Sequence, residues 1–250
     1  MLSTLIENFL YDAIGGKSKP LSPEVIKEFK ESCGNALEKQ FNQQMDWRIR
    51  MSGLGKPLCQ QQLDKKGIKD FVIFHPCAQY NYKIYPQHLR HKLLTQLSEL
   101  DIGVMITGSN NQIDSAIKKQ LPVLPNVFDL IGETNLEEYF ALSKLSLAYI
   151  GMDTLNMHIA AVQNKRIFAI FGPTNLKMWS PWSNELKTSA STDAPMQTYG
   201  NITLFQANMA CVACGNAGCD NKHGKSDCLD HISSEVVFEE VKNWYQNRNA

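Results

Sequence analysis

The chain has 250 residues, 43% of them hydrophobic, which is enough for one large or two small domains with a sizeable core and excludes a disordered chain. Its 25 Lys and Arg balance its 25 Asp and Glu, so composition gives no general pull toward nucleic acid or anionic lipid. No apolar run approaches the roughly 18 to 20 residues that cross a bilayer, and the opening MLSTLIENFLYDAIGG lacks a basic leader and carries Glu7 and Asp12, so the expected compartment is the cytosol.

Residues 1–68 read as a helical segment. Leu2, Leu5, Ile6, Phe9 and Leu10 recur at helical spacing, and PLSPEVIKEFKESCGNALEKQF reads as a second helix behind a Ser-Pro start signal. The first stripe is expected to pack in a core or against another subunit, because its polar face has none of the basic residues of a membrane-surface helix. A homo-oligomer is the expectation.

After residue 68 short apolar strands alternate with amphipathic helices, the pattern of an open parallel sheet. FVIF (Phe71 to Phe74) is the first strand, and Leu89, Leu93, Leu94, Leu97 and Leu100 mark one face of a helix. IGVMIT follows, then a helix through Ile113, Ala116 and Ile117. VFDLIG leads to a helix over Leu136 to Leu145, LAYIG to a helix over Leu155 to Val162, and IFAIF (Ile167 to Phe171) ends the series. Residues 69–250 are thus expected to be an α/β domain, a Rossmann-like parallel sheet flanked by helices. The stretch 173–232, rich in Pro, Ser, Asn and Gly, reads as loops and short strands. A closing helix carries Val236, Val237, Val241, Trp244 and Tyr245.

Four of the seven cysteines crowd into the loop at 208–230: Cys211, Cys214, Cys219 and Cys228, spaced C-x2-C-x4-C-x8-C among glycines. Four thiolates so close can surround one ion tetrahedrally, as zinc or iron requires. The alternatives are an unligated reduced set or a pair of disulfides, and His223 can stand in for one cysteine. With no hydrolytic constellation beside it, the metal reads as structural.

Ligands of an open parallel sheet sit beyond the carboxyl ends of the strands, where helix N-termini present free N–H groups. Three segments occupy such places: HPCAQYNYKIYP, GMDTLNMHIAA and FGPTNLKMWSPW. There is no GxGxxG and no GxxxxGK[ST], which weakens dinucleotide and P-loop readings.

In this order the three segments resemble the C-terminal domain of glycosyltransferase family 9, the lipopolysaccharide heptosyltransferases. The specific part is MDTLNMHIAAVQNKRIFAIFGPTNLKMWSPW, similar to that family's D-[ST]-x-x-x-H-x-A-A, strand and F-G-P-[ST]; HPxA with Lys83 and Pro86 is similar to its first donor-site loop. The resemblance implies a GT-B C-terminal-type fold and an inverting transfer of a sugar, heptose from ADP-heptose, to a lipopolysaccharide core or related surface glycan. The acceptor would be a glycan, lipid-linked or protein, met in the cytosol or at the inner face of the bacterial inner membrane. It implies no catalytic divalent metal, since Lys83 would set an ammonium against the leaving diphosphate. Similar cysteine clusters occur in one branch of the same family.

The resemblance assigns donor binding to Lys83, Thr134, Asp153, Thr154 and His158. The chemistry agrees: at a helix start, the N–H groups of Thr154 and Leu155 can receive a diphosphate while the Asp153 carboxylate reaches sugar hydroxyls. The plain alternative makes Asp153 an N-cap. His158 can bond a phosphate or hold the loop, and Thr134 would line the base. Gly172 and Pro173 give a tight turn that permits close approach to a ligand, Asp114 is a candidate ribose partner, and Trp179 and Trp182 read as packing. Leu155 stands where the family places Gly. The general base has no matching position and would come from the helical front, such as Asp12, or from another subunit. The alternative to an enzyme is a non-catalytic nucleotide-sugar-binding or assembly protein; an interaction module built on the cysteines would leave the three segments unused.

Overall fold

The structure, a computed structural model, describes residues 70–248 together with Lys27 and Glu31, which are both helical and exposed. The apolar stripe of the N-terminus and Asp12 lie outside the described residues, and so do the oligomer contacts expected of that stripe.

Five strands run as the alternation predicts, each within a residue of its expected limits: β1 (Phe71–His75), β2 (Gly103–Gly108), β3 (Val127–Ile131), β4 (Ala148–Met152) and β5 (Arg166–Ile170). Between them lie α1 (Gln87–Leu97), α2 (Gln112–Lys118), α3 (Leu136–Leu145) and α4 (Leu155–Val162). Turn chemistry starts the helices. Asn111 caps α2, and Asn135 with Glu138 forms a reciprocal capping box on α3, with each side chain taking an N–H of the other's end of the turn.

The tail adds a short α5 (Leu176–Trp179), β6 (Met196–Tyr199), β7 (Ile202–Phe205) and α6 (Ser234–Asn247). The short strands expected in 173–232 are this one hairpin. Tyr199 pairs with Ile202 across Gly200 and Asn201, a two-residue turn with φ +52 at Gly200. β7 joins β5 in parallel, β6 runs antiparallel to β7, and the seven strands lie in the order β3-β2-β1-β4-β5-β7-β6.

Both faces of the sheet are covered, which is why β1 and β2 are apolar without alternation. Val72 and Phe74 enter one core with Leu93, Leu94 and Leu97 of α1 and Val237, Phe238 and Val241 of α6. Phe71 and Ile73 enter the other with Tyr139 and Phe140 of α3 and Met157 and Ile159 of α4. The strand order reverses between β1 and β4, so the loops leaving their carboxyl ends diverge there and leave a crevice. The two strands approach closely at that point. A Cβ on Gly151 would stand 2.3 Å from the His75 carbonyl oxygen, so only glycine fits.

Candidate functional site

A cavity of about 1330 Å³ occupies that crevice. All five expected donor residues, Lys83, Thr134, Asp153, Thr154 and His158, line it. Lys83 ends a 3-10 turn, Asn81–Lys83, in the loop after β1. Asp153 directly follows β4. Seventy positions apart in sequence, they meet: Lys83 Nζ donates to Asp153 Oδ2 at 2.8 Å, with Asp153 only 6% exposed. A carboxylate buried to that degree needs its cation.

The plain alternative, Asp153 as the helix N-cap, is not what the structure shows. Thr154 is the N-cap of α4, in an extended conformation, and its side chain does not cap the helix. Its Oγ1 lies 3.3 Å from the Tyr149 hydroxyl, which donates to the Met152 carbonyl. The first turn of α4 therefore presents its N-terminal end to the cavity without a capping side chain, the setting in which helix N-termini take anions.

Behind the pair, His75 ties three elements together. Its Nδ1 is 2.9 Å from Thr107 Oγ1 on β2 and 3.1 Å from Asn156 Nδ2 at the start of α4. Burial pushes its pKa from 6.5 down to about 4, opposed in part by the Asp114 charge, so the ring is neutral at physiological pH. Thr134 sits immediately before the capping box of α3. Asp114 lines the cavity, but its Oδ2 is occupied by the Ser109 N–H at 2.7 Å and the Ser109 hydroxyl at 2.9 Å.

One expectation is corrected. Gly172 makes room for Leu229 and not for a ligand: an added Cβ would meet the Leu229 side chain at 3.2 Å. Trp179 packs against the core as expected and also lines the cavity, with its ring centroid 6.0 Å from Lys83 Nζ, and Trp182 is buried as expected. The sequence reading also missed His75, Asn156 and the stretch Cys214–Asn216, all of which line the cavity. For His75 the available signal was a polar residue closing an apolar strand. For Cys214–Asn216 no local pattern pointed there.

The four clustered cysteines are free thiols. Cys228 is pushed up to about 12, first by burial and then by the neighbouring sulfurs of Cys219, Cys214 and Cys211, so the four share one neighbourhood. They stop short of a closed set: among the described residues no three His, Cys, Asp or Glu side chains are grouped as a metal site. The Asp227 N–H donates to Cys219 Sγ at 3.3 Å. His223 turns to Tyr80 and Tyr82, against whose rings it packs.

Residues 29–206 match the family model for glycosyltransferase family 9 (heptosyltransferase). The chain belongs to that family. Lipooligosaccharide heptosyltransferase 2 of Campylobacter jejuni is 30% identical over 137 residues, 55% of this chain and 37% of that protein. Among solved structures, Escherichia coli ADP-heptose lipopolysaccharide heptosyltransferase II superposes with a TM-score of 0.57 at 19% identity, over 76% of this chain and 52% of that one. The dodecameric iron-containing heptosyltransferase TibC, in complex with ADP-D-β-D-heptose, superposes with a TM-score of 0.50 at 12% identity, over 71% of this chain and 45% of that one. These structures establish a shared fold. The chain matches about half or less of the length of these relatives.

Proposed function

We propose that the chain binds the donor of an inverting, heptosyltransferase-type transfer, taking ADP-heptose and serving a lipopolysaccharide core or related glycan acceptor. The observation that carries this reading is the Lys83–Asp153 pair at 2.8 Å beside the uncapped start of α4. A nucleotide diphosphate sugar supplies what this arrangement lacks: an anion for the helix N-terminus and the ammonium, and hydroxyls for the carboxylate. As the bond from the anomeric carbon to the diphosphate oxygen breaks, negative charge grows on that oxygen, and Lys83 and the α4 N–H groups stabilise it there. Asp153 holds Lys83 in place and accepts from the sugar. In this reading Thr134 would line the base, and His158, one turn into α4, would bond a phosphate or hold the loop.

The acceptor's proton needs a base. Of the carboxylates that line the described cavity, Asp153 is paired with Lys83 and Asp114 takes two bonds from Ser109 through Oδ2, and His75 is buried with a low pKa. A base from another part of the assembly, Asp12 or a second subunit, is proposed. This same observation favours the second reading, a nucleotide-sugar-binding protein that does not itself transfer. The transfer is placed at the cytosolic face of the inner membrane; no helix among the described residues is long and apolar enough to cross a membrane. Self-association, as in dodecameric TibC, is proposed through the N-terminal stripe.

The four cysteines have the donor set of a zinc or iron site, and one of the structural neighbours is iron-containing. Cys211, Cys214, Cys219 and Cys228 would hold the ion, which would fasten the loop and take no part in transfer.

Calorimetry tests the donor reading. The parent chain is expected to bind ADP, and Lys83→Ala to bind it about 10- to 100-fold more weakly, as for loss of a charge-assisted hydrogen bond. No ADP binding by the parent, or equal binding by the variant, sinks the reading. Turnover of ADP-heptose with an acceptor extract separates transfer from binding alone.

A further inference from the structure

Two walls of the cavity that are far apart in sequence are joined by a stack of rings. The Tyr80 and Tyr82 rings lie parallel, 5.4 Å apart with 13° between planes. The His223 imidazole rests against both, at 5.4 Å from Tyr80 and 5.7 Å from Tyr82. Lys83 is the next residue. Its N–H donates to the Tyr80 carbonyl at 3.0 Å, and the Ile84 N–H donates to the Asn81 carbonyl at 3.1 Å.

The turn that carries Lys83 is fixed at its far end, where buried Tyr85 donates to the Ile232 carbonyl, and Lys83 itself pairs with Asp153; the turn's own residues contribute little. It is three residues long, buries none of them, and has no capping side chain. Tyr80 is 40% exposed. His223, by contrast, stands on a loop closed by backbone hydrogen bonds. Its N–H donates to the Ala217 carbonyl at 2.7 Å, the Cys219 N–H donates to the Lys225 carbonyl at 2.9 Å, and the Gly215 N–H donates to the Pro173 carbonyl at 2.9 Å. That last bond anchors the loop to the turn after β5. His223 has φ +64, a region that His and Asn enter more readily than most residues.

We infer that His223 is a positioning residue: the loop 215–224 sets its imidazole on Tyr80 and Tyr82 and so, together with Asp153, sets Lys83 for the diphosphate of the donor. The inference rests on the donor reading above and deepens it. It joins the cysteine segment to the nucleotide site, because Cys214 lines the cavity and Cys219 lies within the same loop.

The test compares the parent chain with His223→Asn, which keeps the backbone conformation and removes the ring, and His223→Phe, which keeps a ring. ADP and adenosine are titrated into each. His223→Asn is expected to bind ADP about five- to tenfold more weakly, the scale of a lost aromatic contact, and adenosine within about twofold of the parent, because adenosine has no diphosphate for Lys83 to meet. His223→Phe is expected to restore ADP binding to within about twofold. Equal ADP binding by His223→Asn and the parent, an equal loss for adenosine, or no rescue by Phe overturns the inference. Amide exchange at Lys83 and Ile84 gives a reading that needs no nucleotide: it rises in His223→Asn and returns to the parent rate in His223→Phe. Unchanged exchange also overturns the inference, and a parent that fails to bind ADP sinks the donor reading while this arm still decides the stack.

Discussion

Residues 71–172 and residues 173–232 supply walls of the same cavity by different physical means. In the first stretch, strands buried on both faces alternate with helices, of which α2 and α3 have capped starts, and polar residues fall into the crevice because the chain must turn there. Asp153 and Lys83 come together through sheet order: β1 and β4 are neighbours in register, with His75 opposite Gly151. In the second stretch, outside the β6–β7 hairpin, the chain is held contact by contact, by single hydrogen bonds such as Gly215 to Pro173 and by rings packed on rings. A site built on sheet order resists local change and fails as a unit. A wall built of separate contacts can be loosened one contact at a time.

The largest expected effect comes from striking the first stretch at the switch point. Gly151→Ala puts a methyl 2.3 Å from the His75 carbonyl, and both sides of that clash are backbone in the middle of the sheet. β1 and β4 must part, at a cost of about 3 kcal/mol or more. Urea unfolding should show a lower midpoint with an unchanged slope, together with loss of ADP binding. A variant as stable as the parent would mean that the crevice is softer than its strand pairing implies.

The same contrast explains how much could be read in advance. Runs such as FVIF and IFAIF, bounded by polar turns, announce strands because both faces of the sheet are covered, and the helices between them keep a period near 3.6. The Asp153 and Lys83 positions were legible through motif resemblance. Their direct ion pair was not, since nothing in a sequence states which strands are neighbours. The Gly200–Asn201 turn was a hairpin signal between two four-residue strands, too short for alternation to stand out. Trp179 and His223 were beyond sequence reading, because a ring's partner is fixed by where loops dock. Trp179 ends α5 and Trp182 lies three residues beyond it, yet nothing in the surrounding sequence says that Trp182 is buried while Trp179 also faces the cavity.

A pH titration sharpens the comparison from inside the first stretch. His75 has a folded pKa of about 4 against an ordinary 6.5, because burial disfavours the imidazolium. Between these values the unfolded chain binds more protons than the folded one, so stability is full above pH 6.5 and is lost as pH falls toward 4. The loss is at most about 3 kcal/mol. Urea midpoints measured from pH 7 to 4.5 should fall in the parent and fall less in His75→Gln, which has no proton to take up. Equal slopes would show that His75 is not buried neutral in the folded protein.

The smallest effect on the sheet is expected from the second stretch. If the four cysteines hold an ion, metal analysis of the purified chain returns one zinc or iron per chain, and Cys211→Ser and Cys228→Ser lose it. Chelation should then raise amide exchange in residues 208–228 by about tenfold or more, equivalent to about 1.4 kcal/mol of local stability. Strands β2 and β3, on the far side of β1 from this segment in the strand order, should keep their protection. A chain that takes up neither metal, or exchange that rises equally in β2 and β3, would erase the distinction between a wall made by sheet order and a wall fastened at points. The distinction matters for the site because Cys214 is at once a member of the cysteine set and a lining residue of the donor cavity.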